Sequence, residues 1–421
     1  MSGKTISKPR PQSASARKPR LLIDASTVTA IADGLSIYII NLLRYLPDHA
    51  FAAFDISILL NPGLERPEFF AALEGKPFRL VEAKVPPIGP KRDWALFRFF
   101  RRHGREFDLV HITSNNYPLV LRNGICTIHD VTFTRHFDSP GQWPGARRAA
   151  VAYMGMVIRN VLRRAGHIIA DSEATRQDVK QEFAATPAQM AKMDVVHLGW
   201  EHLLDPIEDK GEPTPTQGFV YFLGSHRVHK NLEGLLQAWR LALKDIPDDK
   251  LLVVSGSSSK RLSPAAQEAM AAINADKERV VFTGYLSSGA VRRHYQDSDA
   301  FIFPSIAEGF GIPVLEAFHY EIPLLCSDRS SLAEVAGDAA LFFDPTSVRS
   351  MADAIIRFCS EPDLGPSLVA AGRERLKAFS WRKTAEETVV VYRRHAGLPS
   401  LSPSPSSSDE PSERAPAHAT P

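Results

Sequence analysis

The chain has 421 residues, 44% of them hydrophobic, with 50 basic and 48 acidic side chains and a net charge of +2. At roughly 100–200 residues per domain that length points to two domains, and the near-neutral balance gives no global argument for a nucleic-acid partner. The three cysteines, Cys126, Cys326 and Cys359, lie far apart with no Cys-x-x-Cys spacing, which argues against a disulfide framework or structural zinc and for reduced thiols in a cytosolic protein.

Residues 1–19 are rich in Ser, Lys, Arg and Pro; with no apolar h-region they do not read as a secretory signal. Arg20–Ile23 reads as a strand, and Leu35, Tyr38, Ile39, Leu42, Leu43 and Leu46 then recur at helical spacing. Leu109–Ile112, Ile125–Ile128, His167–Ala170 and Val195–Val196 read as further strands. A polar stretch, Asp205–Gln217, holds Pro206, Pro213 and Pro215 and reads as a linker. A second strand series follows: Phe219–Leu223, Leu251–Ser255, Arg279–Phe282, Ala300–Phe303 and Leu324–Ser327. Residues 398–421 are Pro/Ser-rich. Both tails bury too little apolar surface to offset their ordering entropy and are expected to be disordered. Strands alternating with helices predict an α/β fold: two Rossmann-like domains, 20–205 and 218–380, joined by a linker at 206–217. Parallel sheets of this kind bind ligands at the carboxyl ends of their strands, which places the site in the interdomain cleft. No window offers the ~18 uninterrupted apolar residues of a membrane span.

The strand Ala300–Phe303 runs into a loop with Glu308, Gly309, Phe310 and Gly311, and Pro313 suits the first turn of a helix that runs through Leu315, Glu316 and Phe318. Glycines before a helix start permit close ligand approach, and the free N–H groups there attract phosphate. Glu316 is expected in the first turn, within reach of a ribose diol, and Glu308 at the strand's chemical end. Spacing alone fits equally an ordinary turn whose glutamate faces the helix dipole. Lys230 lies six residues past Gly224, in a loop after a strand, where a lysine can neutralise a departing diphosphate; the plain alternative is a solvated lysine before the helix Asn231–Ala242. His129-Asp130 closes the strand Ile125–Ile128 at the predicted cleft, or forms a hydrogen-bonded turn. Ser172 reads as a helix N-cap. Asp297-Ser298-Asp299 spells a metal-binding Asp-x-Asp, but at the entry of Ala300–Phe303, so no metal ligation is expected. Two basic clusters remain: Lys91, Arg92, Arg98, Arg101, Arg102 and Arg105, interleaved with Trp94, Phe97, Phe99 and Phe100, and Arg147, Arg148, Arg159, Arg163 and Arg164. They fit either an anionic lipid surface or a core-facing aromatic stripe with a solvated edge.

The segment Ser305-Ile-Ala-Glu-Gly-Phe-Gly-Ile-Pro-Val-Leu-Glu-Ala317 resembles the signature of the family 4 retaining glycosyltransferases, which have the GT-B fold. Further matches follow in the family's order: Phe219–Ser225 with Lys230-Asn231-Leu232, Val281–Tyr285, Asp299–Ser305, Ser330–Ala340 with Asp344-Pro345, and Phe379-Ser-Trp381. The resemblance covers about residues 20–396 and is more specific in the second half. It implies that Glu316 binds the nucleotide ribose and that Glu308 faces the donor sugar. Gly224, Ser225, Arg227, Lys230, Gly309, Phe310, Gly311 and Ile312 would complete the donor site, with Lys230, Glu308 and His129 as catalytic residues. Gly34 and Asp130 would lie on the acceptor side.

Ser225 stands where many relatives carry arginine, with Arg227 as a candidate substitute. Ser36 and Ile37 replace a glycine and an arginine of the relatives' Gly-Ile-Gly-Arg-Tyr loop. The resemblance implies a nucleotide-diphosphate sugar donor, GDP-mannose ahead of a UDP-sugar, and a glycan or lipid-linked glycan acceptor. It implies no cofactor and no metal, and a C-terminal helix, 381–397, that crosses back to the first domain. The expected place of action is the cytoplasm, including the inner face of the cytoplasmic membrane. A GT-B nucleotide-sugar epimerase and a non-catalytic nucleotide-sugar-binding protein are the alternatives.

Overall fold

A computed structural model describes residues 17–29, 33–87, 89–136, 144–207, 211 and 213–400. Most of both predicted tails (1–16 and 401–421), residues 208–210 and 212 of the predicted linker, and the side chain of Arg147 lie outside the described residues.

The first sheet is built from β1 (Arg20–Asp24), β2 (Asp55–Leu60), β3 (Arg79–Glu82), β4 (Leu109–Ile112), β5 (Ile125–Ile128), β6 (His167–Ala170) and β7 (Met193–Val195). Its order is β3-β2-β1-β4-β5-β6-β7, every pairing parallel. The second uses β8 (Phe219–Leu223), β9 (Leu251–Ser255), β10 (Val280–Gly284), β11 (Ala300–Phe303), β12 (Leu324–Ser327) and β13 (Leu341–Phe343) in the order β10-β9-β8-β11-β12-β13, again all parallel. The expectation of two Rossmann-like parallel sheets thus matches the architecture. Successive side chains of a strand point to opposite faces, so each strand feeds two cores. Leu21 and Ile23 pack with Tyr38 and Leu42 on one face, while Leu22 packs with Leu96, Phe100 and Ile158 on the other. In the second sheet Val220, Leu252 and Ile302 meet Leu235 and Trp239. Phe219, Phe301, Phe310 and Trp381 join the cluster of Leu21 and Ile23, so one apolar core contains residues of both sheets.

Periodicity leaves three strands unread. β3 is an edge strand with Arg79, Leu80 and Glu82 exposed, so no buried face imposes a pattern on it. β2 is a buried run after Asp55, and β13 has only three residues. β10 begins one residue later than expected and extends to Gly284, past a register shift beside that glycine. The helix Trp381–His395 packs against the helix Gly34–Tyr45. Its Tyr392 hydroxyl lies 2.7 Å from His111 Nδ1, and its Thr384 hydroxyl donates to the His197 carbonyl at 2.6 Å.

The basic clusters divide by face. Arg92 is a correction: it is fully buried and forms a 2.5 Å ion pair with the equally buried Asp24, with Ser26 Oγ accepting at 3.0 Å. Charges that deep must be paired, and this one serves the interior rather than the surface. Phe99 and Phe100 also turn inward. Lys91, Arg98, Arg101, Arg102 and Arg105 remain exposed, beside Trp94 (61% exposed) stacked on Phe97. Arg148, Arg159 and Arg163 lie exposed on the helix Pro144–Arg164, near Met156. No helix among the described residues is long and apolar enough to cross a membrane.

Candidate active site

β8 ends in a turn where Gly224 N–H donates to the Ser255 carbonyl at 3.0 Å. A single 3-10 turn, Val228–Lys230, follows, and Asn231 adopts φ 56°. The Asn231 side chain donates to the carbonyls of Pro304 (3.2 Å) and Pro345 (2.7 Å), tying this loop to the one after β11. That tie brings Lys230 Nζ to 2.7 Å from Glu308 Oε1, with both side chains mostly buried. The ammonium also lies 5.3 Å from the Phe303 ring centroid. Glu308 is held from behind: the hydroxyls of Ser330 and Ser331 donate to its carbonyl at 2.7 and 3.0 Å. Ser330 does this at φ 57°, a left-handed backbone that a non-glycine residue keeps only where its surroundings hold it there. Sequence reasoning therefore named two residues that the fold joins into one pair.

Gly311 stands at φ 99° before the helix Ile312–His319. A Cβ there would lie 2.6 Å from Leu332, so the position requires glycine on two counts. No side chain caps this helix; Pro313 has no N–H and Val314 N–H donates to the Gly311 carbonyl at 2.9 Å, which leaves the Ile312 N–H at the helix start available to an anion. Phe310 is buried against the Phe379 ring. Glu316 corrects the expectation of a first-turn residue: the helix begins at Ile312, so Glu316 lies in the second turn. Its Oε2 accepts from the Tyr295 hydroxyl at 2.7 Å. Burial pushes its pKa up, opposed by that hydrogen bond and by the charge of Lys230. No motif points to Tyr295, which reaches Glu316 from the preceding helix, Ser288–Asp297.

In the first sheet three neighbouring strands each deliver the first residue past their end: Thr113 after β4, His129 after β5 and Asp171 after β6. His129 Nδ1 lies 2.6 Å from Asp171 Oδ2, and its Nε2 lies 2.9 Å from the Thr113 carbonyl. Burial works against charging this imidazole, but the Asp171 carboxylate outweighs it and pushes the pKa up to about 9. Asp130 does not touch the ring. Its carboxylate caps the local turn, accepting from Thr132 N at 2.9 Å and from the Thr132 hydroxyl at 2.8 Å. One strand over, His111 is fully buried between the Thr127 and Tyr392 hydroxyls, and burial drives its pKa down to about 3. The contrast is the carboxylate, which His111 lacks.

The two halves meet at the signature. The Gly309 carbonyl accepts from Ser172 Oγ at 2.6 Å and Thr175 Oγ1 at 3.0 Å. A Cβ on Gly309 would collide with the His129 carbonyl at 2.0 Å, so this glycine permits the approach. Ser172 also accepts from Thr175 N at 3.0 Å, which makes it both the helix N-cap and an interdomain donor. Glu334, from the second half, accepts from the first free N–H groups of the same helix, Glu173 and Ala174, both at 2.9 Å. His197 Nε2 lies 2.8 Å from its Oε1. Burial tends to raise the Glu334 pKa, but the His197 contact and the two N–H donors bring it below the usual value.

Gly34 is the first residue of its helix, capped by Asp33, which accepts from Ser36 N at 2.8 Å. A Cβ on Gly34 would meet nothing within 4 Å among the described residues. Ser225 is half-buried, and Arg227 is exposed with no ion pair among the described residues. Asp297 and Asp299 sit at the entry of β11, where they accept from Thr214 and Lys250, each at 2.6 Å. Among the described residues no three His, Cys, Asp or Glu side chains group as a metal site.

Two family models match successive parts of the chain: "Glycosyltransferase Family 4" over residues 32–201 and "Glycosyl transferases group 1" over residues 205–375. The chain is 27% identical over 315 residues to O-antigen chain mannosyltransferase B of Escherichia coli, covering 73% of this chain and 78% of that one. It is 25% identical over 272 residues to O-antigen chain mannosyltransferase RfbU of Salmonella typhimurium, covering 64% and 70%. Sucrose-phosphate synthase from Thermosynechococcus elongatus superposes with a TM-score of 0.64 at 19% identity, over 90% of this chain and 100% of that one, a likeness of fold alone. With both halves matched, two parallel sheets meeting at Gly309, and the Glu308–Glu316 loop opening an uncapped helix, the chain belongs to the family 4 glycosyltransferases of GT-B fold.

Proposed function

We propose that this glycosyltransferase moves a mannosyl group from a nucleotide-diphosphate sugar, GDP-mannose ahead of a UDP-sugar, to a hydroxyl of a glycan or lipid-linked glycan, with retention at the anomeric carbon. The observation that carries the reading is the Lys230–Glu308 pair at 2.7 Å, beside the uncapped helix of Gly311 and Glu316. In this reading the bond from the anomeric carbon to the diphosphate oxygen breaks, and the acceptor oxygen bonds to that carbon on the same face. The acceptor's proton passes to the departing diphosphate. Lys230 and the N–H groups near Gly224 and Gly311 stabilise the leaving charge in place of a divalent ion. Glu308, tied to Lys230, orients the donor sugar, and Glu316 with Tyr295 holds the ribose. His129 lies on the donor-sugar side, and Gly34 and Asp130 face the acceptor. The mannosyltransferase relatives support the choice of sugar.

The exposed cations around Trp94 support a working position on an anionic membrane surface at the inner face of the cytoplasmic membrane. Co-sedimentation with anionic and with neutral liposomes tests that part, and equal binding rejects it. The chemistry is tested by incubating the protein with GDP-mannose and UDP-glucose, with and without a lipid-linked glycan. Expected are acceptor-dependent transfer from GDP-mannose and a product with the donor's anomeric configuration by NMR. Quantitative conversion of the nucleotide sugar without acceptor would instead identify an epimerase, and an inverted product would reject retention.

A further inference from the structure

We propose that Asp171 is a positioning residue that holds His129 as a fixed imidazolium in the cleft, through Nδ1, with Nε2–H on a carbonyl that a donor oxygen can replace. The geometry carries this. The Thr113 carbonyl accepts only, and so does an ionised carboxylate, so contacts of 2.9 and 2.6 Å to the two ring nitrogens require both to carry hydrogen. A neutral ring would turn a lone pair onto one of these oxygens. Asp171 is itself 4% exposed, and its Oδ1 is buried with no hydrogen-bond partner. The carboxylate therefore depends on the imidazolium, and deprotonating the ring would strand a buried charge.

The other groups around the ring contribute less to this charge balance. Asp130, the next residue, favours the cation through its charge, but less than Asp171 does, and its carboxylate is bonded to Thr132. Tyr38, from the helix Gly34–Tyr45, packs edge-on at 4.9 Å, with its hydroxyl on Thr127 at 3.0 Å. His111, on β4, is kept neutral by burial and by the charge of His129 itself. From the second half the Gly309 backbone covers the His129 carbonyl. The raised pKa of His129 agrees with the geometry. A carbonyl is the weaker of the ring's two acceptors, so Nε2–H is the bond that a ligand oxygen can take over while Asp171 keeps the ring in place.

The inference rests on the reading of His129 as a donor-side residue, and the experiment separates the two. The resting protein is labelled on its histidine rings, His129 is assigned with His129→Gln, and the ring is followed by NMR against pH, without substrate. The expected result is a doubly protonated ring at pH 7.5 in the wild type and a neutral ring in Asp171→Asn. A neutral wild-type ring at that pH overturns the inference without any variant, and so does a ring that titrates identically in both proteins. Transfer is then measured from pH 5 to 9. From a folded pKa of about 9 to the ordinary value near 6.5, kcat/KM of Asp171→Asn should fall roughly 30-fold below wild type at pH 8, the gap narrowing toward pH 5. A deficit constant across pH reduces Asp171 to a packing role and overturns the inference. A ring that changes charge as expected while the activity ratio stays near unity keeps Asp171's hold on the ring and removes His129 from the reaction.

Discussion

Lys230 and Glu308 lie on two loops of the second sheet, each inside a short run of residues whose order in sequence already spells a motif. Thr113, His129 and Asp171 come together as the first residues past three adjacent strands of the first sheet, spread over 59 positions of chain. Both constructions yield a cation held by a carboxylate, at 2.7 Å in one and 2.6 Å in the other. A loop motif is local, so glycine and proline positions advertise it. A strand-end triad is assembled by sheet order, and each member alone looks like an ordinary turn residue. The pairs also differ in what a ligand can do to them. The Lys230 ammonium has three donors, so a diphosphate can share it with Glu308. The His129 ring has two, both bonded, so a ligand oxygen must displace the Thr113 carbonyl to reach it.

The largest expected effect breaks the first pair. Lys230→Ala should lower kcat for transfer about 10²- to 10³-fold, the scale of losing one donor aimed at developing negative charge. Steady-state kinetics with saturating donor would check it, and an unchanged kcat would take the pair out of the reaction and leave it a structural ion pair. A smaller effect concerns the Tyr295–Glu316 hydrogen bond beside it. Tyr295→Phe removes the hydroxyl that Glu316 accepts from, and the donor KM should rise roughly tenfold with kcat nearly kept, since a hydrogen bond to a charged group contributes about 1.5–3 kcal/mol. A fall in kcat at constant KM would contradict a ribose role. The smallest concerns the seam between the halves. Glu334→Ala leaves the N–H groups of Glu173 and Ala174 without their acceptor, which should cost about 1–3 kcal/mol and lower the apparent Tm by a few degrees at pH 7. The Glu334 pKa is lowered on folding, so its contribution is present above the unfolded value near 4.5 and lost as pH falls through the folded value. The wild-type and Glu334→Ala melting curves should therefore converge as pH falls below 4.5 and through the lowered folded value; a difference that persists once both proteins are fully protonated would assign the effect to packing.

Much of the second half was legible because its chemistry and its punctuation coincide. Gly309 and Gly311 mark places where a side chain would strike His129 or Leu332, and Pro313 marks the helix start. Glu316 falls one turn later than expected: Pro313 marks the first turn but not its first residue, and with the helix opening at Ile312 Glu316 is its fifth residue. Arg92 was counted with its neighbours because a basic run does not reveal which member turns inward, and only the approach of β1 brings Asp24 to it. Asp171 was readable as a residue next to a capping serine, but not as a partner of His129, 42 positions away.

Residue order alone carries the alternation of strands and helices, the parallel sheets that follow from it, the glycine and proline positions of the loops around Lys230 and Glu308, and the family. Those features depend on nearest neighbours and on periodicity, which a linear chain records. Which side chains pair, which charge is buried, and which histidine is charged were decided by the tertiary structure. Sheet order β4-β5-β6 and the docking at Gly309 set those distances, and a carboxylate at 2.6 Å makes one buried histidine a cation while its neighbour, between two hydroxyls, stays neutral.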